Sequence, residues 1–151
     1  MALINPITLK KRLQKAQNQV PYFVKEALEK SNLEKINIDN LQQGKDSEGN
    51  NMPSYRNPDY ANFKTSINPR NRGFWDLRLT GEYYSGIRVK AFATQVFFSQ
   101  VVKNDKIDWL TNQLEFWNKT PLGVTKEQIE KVQFKNAPGI KKRIENILNN
   151  G

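Results

Sequence analysis

The run Gly86-Ile87-Arg88-Val89-Lys90-Ala91-Phe92-Ala93-Thr94-Gln95-Val96-Phe97-Phe98-Ser99-Gln100-Val101-Val102 decides the fold class. Ile87, Val89 and Ala91 alternate with Arg88, Lys90 and Phe92, the two-residue period of a strand with one apolar and one cationic face. Ala93-Thr94-Gln95 reads as a turn. Val96 to Val102 then returns as a second, more buried strand, so an antiparallel hairpin is expected. Leu77 and Leu79, ahead of Thr80-Gly81, belong to a strand or to a turn leading into it.

Helical patterns flank this hairpin on both sides. Asp105 to Phe116 places Ile107, Leu110 and Leu114 on one face with Asp105 as cap, and Thr120-Pro121-Leu122-Gly123 ends it. Thr125 and Gln128 form a capping-box pattern ahead of Ile129 and Val132. Ala137-Pro138-Gly139 is expected to break that helix, leaving Ile140, Ile144, Ile147 and Leu148 on a last basic amphipathic helix. Upstream, residues 8–31 carry an apolar stripe through Leu9, Leu13, Ala16, Val20, Val24, Ala27 and Leu28, and Pro21 either kinks or splits it. A short helix is expected from an Asp39 cap, closed by Gly44 in the left-handed region. Residues 52–75 are loop-like, with Pro58 opening a brief helix through Lys64. The reading is an α+β fold: a small antiparallel sheet over residues 77–102, packed by helices 22–31 and 105–116, with helical N- and C-terminal segments. The divisions are an N-terminal helical arm (1–21), an α+β core domain (22–123) and a C-terminal helical segment (124–151).

With 151 residues, a single core is expected. The formal charge of +9 together with 37% apolar residues marks a basic chain that still folds. Cysteine and histidine are both absent, which removes disulfides, zinc sites built on those residues, thiol nucleophiles and any imidazole acid-base step. The N-terminus has no signal-peptide pattern. The apolar stretch from Ala91 to Val102 falls short of the roughly 20 residues a membrane span needs. A soluble chain made in a cytoplasm is expected, with no cofactor, no metal and no membrane partner.

Three constellations remain. Asp46-Ser47-Glu48-Gly49 lacks the alternating acids of a calcium loop and reads as a turn. Asp76 and Glu82 flank the Leu-Thr-Gly turn; a hydrolase would need both carboxylates in one cleft, and the plainer reading is surface acids balancing lysine. Arg70, Arg72, Arg78, Arg88 and Lys90, interleaved with Phe74, Trp75, Tyr83 and Tyr84, form a candidate basic patch facing DNA or a partner. The alternative is a half-buried sheet with a solvated cationic face.

The ordered run Asn40-Leu41-Gln42-Gln43-Gly44-Lys45-Asp46-Ser47-Glu48-Gly49, then Tyr55 and Tyr60 with Lys64, then Asp76-Leu77-Arg78-Leu79-Thr80-Gly81-Glu82-Tyr83-Tyr84-Ser85-Gly86-Ile87, resembles the small neck and tail-completion proteins of tailed bacteriophages. Its nearest likeness is to proteins of Bacteroides phages, the crAss-like group included. In that group a Gly-rich loop and a Tyr-x-x-x-Lys segment precede a Leu-Thr-Gly turn and a hairpin. The resemblance covers about residues 40–123. It implies a non-enzymatic virion structural protein of the head–tail connector, made in the host bacterial cytoplasm. Such a subunit assembles with itself as a ring around the DNA channel and contacts the portal or other connector and tail proteins. Leu9, Leu13, Val20, Trp75, Tyr83 and Tyr84 are the candidate interface residues, and the arm before Pro21 is the candidate for reaching a neighbour. A monomeric basic nucleic-acid-binding accessory protein is the alternative function.

Overall fold

A computed structural model of the chain describes residues 5–78 and 80–151. The hairpin forms as its alternation predicts: β1 (Ile87–Ala91) and β2 (Val96–Gln100) pair antiparallel, with Val89 opposite Phe98 and Lys90 opposite Phe97. Arg88, Lys90, Phe97 and Ser99 therefore share the outer face, and Ile87, Val89, Ala91, Val96 and Phe98 the inner one. β2 is not the more buried strand. It alternates half-buried with exposed residues and ends at Gln100, because a two-stranded ribbon has only one face on which helices pack. Leu77 lies outside any strand, in the left-handed region at φ 54°, and Leu79 lies outside the described residues.

Six helices accompany the sheet among the described residues, giving the α+β class. α1 (Pro6–Lys30) starts on Asn5, whose side chain accepts from the Ile7 amide. It runs through Pro21 without a break, and α6 (Lys126–Asn150) likewise runs through Pro138, which the sequence suggested would break it. Each proline forfeits a helical hydrogen bond, and the mutual packing of α1 and α6 offsets that loss. The Arg12 guanidinium donates to the carbonyls of Leu148 and Asn149 at 2.8 and 3.0 Å, and Arg143 meets Glu26 at 2.7 Å. Between these contacts Asn136 donates to the Ser31 hydroxyl. Residues 6–21 are thus the first half of a continuous helix, tied at Arg12 to the end of α6.

α2 (Leu33–Gln42) begins six residues ahead of the expected Asp39 cap, so Asp39 lies in its interior; Gly44 closes it at φ 67°, as expected. α3 (Pro58–Ile67) opens at Pro58 on an Asn57 cap, and α4 (Glu82–Ser85) is a single turn. α5 (Asp105–Phe116) has the expected bounds, but its cap is Asn104, which accepts from the Ile107 amide at 2.9 Å. Asp105 falls instead in the first turn, where a negative charge complements the helix dipole. Thr125 and Gln128 form the capping box at the head of α6.

β1 ties the interior together because its inward residues enter both buried clusters. Ile87 packs with Leu41, Met52, Leu77, Tyr83, Ile107 and Leu114; Ala91 packs with Leu28, Leu33 and Val132. The sheet is thus covered by α1 and α5, as expected, and additionally by α2 and α6. Asn37, fully buried, fastens α2 to the 121–123 loop by donating to the carbonyls of Pro121 and Gly123 at 2.8 and 2.7 Å.

Candidate functional site

α3 and the loop before α4 bring a charged pair into the interior. Lys64, on the last turn of α3, is 1% exposed, and Asp76 is 0% exposed. The Lys64 ammonium lies 2.7 Å from Asp76 Oδ1 and also donates to the Arg78 carbonyl. The remaining capacity of the carboxylate is taken up by neighbours. Tyr55 donates its hydroxyl to Oδ1 at 3.1 Å, the Arg78 amide donates to Oδ1 at 3.1 Å, and Asn68 donates to Oδ2 at 3.2 Å. Tyr84 donates to the Asp76 carbonyl. Burial pushes the Asp76 carboxyl up, but the Lys64 ammonium and the donors from Arg78 and Asn68 outweigh it and hold the group below its ordinary range. Tyr55 and Tyr84 are pushed above the usual phenol value by burial and by the Asp76 charge, and Tyr83 by burial.

This pair forms one wall of a cavity of about 280 Å³. Aromatic side chains of Tyr55, Tyr60, Trp75, Tyr83 and Trp109 line it, with Arg78, Glu82 and Lys106 supplying charge. Behind it all three tryptophans form a ladder, Trp75 stacking on Trp109 at 6.2 Å and on Trp117 at 5.9 Å. Arg56 caps the far end, 5.8 Å above the Trp117 ring. Trp109 is 54% exposed, an unusual position for so large an aromatic ring, and Tyr60 and Phe63 beside it on α3 are also exposed.

Asp76 and Glu82 do line one cavity, as a two-carboxylate site requires. Asp76 is nevertheless poorly suited to donate a proton near neutrality, because its donors stabilise the carboxylate form. The pair acts as an internal brace joining α3 to the loop that leads into α4.

The basic candidates fall in three settings. Arg70 and Arg72 line a cleft with Lys45, and Arg70 is held by Gln42 at 3.0 Å and Asp39 at 3.4 Å. Arg78 lines the aromatic cavity, while Arg88 and Lys90 stand on the outer face of the ribbon. Arg88 donates to the carbonyls of Ser85 and Ile87, and Lys90 lies 5.3 Å above the Phe92 ring. Of the interface candidates, Leu9 and Leu13 are exposed and Val20 is half-buried. Tyr83 is a core residue and Tyr84 turns its hydroxyl inward, so the structure removes both from the surface; Trp75 is half-buried between the other two tryptophans.

Tyr55, Tyr60, Lys64, Lys106 and Trp109 were not singled out as site residues from sequence. Tyr60 and Lys64 had a signal, the Tyr-x-x-x-Lys spacing that puts both on one side of a helix. Among the described residues no group of three or more acids could hold a metal ion, and no helix is long and apolar enough to cross a membrane. No protein-family model, curated protein or solved structure matches this chain.

Proposed function

We propose that this chain is a structural subunit of a phage head–tail connector or tail-completion layer, assembling as a homo-oligomeric ring around a DNA channel. One observation carries the reading: large apolar side chains stand uncovered on several different elements. Phe134 on α6 is 85% exposed, Phe116 at the end of α5 83%, and Ile7 and Leu13 on α1 66% and 51%. Phe63 and Ile67 on α3 and Phe97 on β2 add to them. Scattered single apolar residues are ordinary, but a ring subunit needs two different faces that complement each other, and uncovered aromatics on separate elements provide for that. The +9 charge suits a channel that passes DNA without reading its sequence. Arg70, Arg72 and Lys45 in one cleft are the groups proposed to face it.

That same cleft favours a second reading, a monomeric accessory protein whose arginines contact phosphates directly. Electron micrographs of the purified chain, with a duplex-binding titration at low and moderate salt, separate the two. Ring particles with an open centre support the connector. Monomers that bind duplex at low salt and release it at moderate salt would overturn it in favour of the accessory protein.

A further inference from the structure

We propose that the contact between neighbouring subunits is a heterologous one in which the aromatic tip of the β1–β2 hairpin of one copy enters the aromatic cavity of the next. The inference rests on the ring reading and deepens it by naming both halves of the interface. The donor half is Phe92 and Phe97, both exposed, packed edge to face at 5.8 Å where the ribbon turns. The acceptor half is the cavity lined by Tyr55, Tyr60, Trp75 and Trp109.

Size agrees with this pairing. A cavity of about 150 Å³ suffices for a benzene ring, so the roughly 280 Å³ here has room for one phenyl ring and part of a second. Charge agrees as well. The segment from Gly86 to Asn104 holds Arg88, Lys90 and Lys103 and not one acid. The three helices that wall the cavity carry Asp59, Glu82, Asp105, Asp108 and Glu115, all exposed, against Lys64 and Lys106. Lys64 is already committed to Asp76. Within a chain of net charge +9, this acidic set is the natural counterpart of the cationic ribbon. The two halves lie on different surfaces of one chain, so each copy uses both, and the contact repeats until the rotation closes a ring. Aromatic anchors in a desolvated pocket carry a large share of the binding energy in such interfaces.

Light scattering on the full chain tests the pairing with two variants at exposed positions, Phe92→Ser/Phe97→Ser in the hairpin and Trp109→Ser in the cavity, each checked for folding by circular dichroism. Tyr60→Ser serves as a second cavity variant should Trp109→Ser unfold. Each variant alone is expected to associate at least about tenfold more weakly than the unaltered chain. A mixture of hairpin and cavity variants is expected to give a discrete dimer, since one intact hairpin meets one intact cavity and growth stops there. An oligomeric unaltered chain whose variants assemble equally well would overturn this interface while leaving the ring reading in place. Folded variants that are monomeric alone and fail to pair when mixed would overturn it too. An unaltered chain that stays monomeric would overturn the ring reading itself.

Discussion

Replacing Lys64 with Met keeps most of the side-chain volume and removes its charge, leaving the Asp76 carboxylate fully buried with only neutral donors from Tyr55, Asn68 and the Arg78 amide. Breaking a buried pair from one side costs about 3–5 kcal/mol, against about 0–1 kcal/mol for a pair at the surface. A domain of this kind is stable by about 5–15 kcal/mol, so the loss is a third or more of the total. Urea denaturation followed by tryptophan fluorescence, at one fixed protein concentration, reads it directly. The pH dependence supplies an independent check with a defined sign. Asp76 sits below its ordinary value in the folded chain, so its contribution is present above ~3.9, the unfolded value, and is lost as pH falls through the folded one. The unaltered chain should therefore lose more stability on acidification below about pH 4 than Asp76→Asn does. A loss under about 1 kcal/mol for Lys64→Met, or identical acid profiles for Asp76→Asn and the unaltered chain, would refute the buried brace.

Two further outcomes follow from local geometry. Gly44→Ala puts a side chain at φ 67° with its Cβ 2.5 Å from Phe74 Cβ, and should destabilise the chain by roughly 1–3 kcal/mol in the same denaturation assay. Tyr55, Tyr83 and Tyr84 are all raised in the folded chain, so they favour folding below their unfolded value of ~10 and lose that contribution as pH climbs beyond it. Stability measured from pH 9 to 12 should fall more steeply for the unaltered chain than for Tyr55→Phe.

The elements most legible in the sequence were those whose signals are local. The alternation of Ile87, Val89 and Ala91 specified β1 and its two faces, Pro58 marked the start of α3, and Thr125 with Gln128 marked the head of α6. What misled was proline. Pro21 and Pro138 are read locally as breaks, yet α1 and α6 hold each other through Arg12, Glu26 and Arg143, a partnership that spans more than a hundred positions and leaves no local trace. The burial of Lys64 was hidden for the same reason: Asp76 and Tyr55 reach it from outside its helix. Tyr83 and Trp109 exchanged the expected places. An aromatic at the Leu-Thr-Gly turn reads as an anchor for a partner, but the turn points Tyr83 into the core. The residue left open to solvent is Trp109, on a helix whose periodicity gave it no special weight.

The mass of the purified chain in solution, followed by light scattering over a range of protein concentrations at moderate salt, tests the proposed assembly most directly. A discrete oligomer of fixed stoichiometry, whose mass stays constant once formed, is the result expected of a ring subunit. A monomer at every concentration, with its exposed aromatics still uncovered, would contradict it.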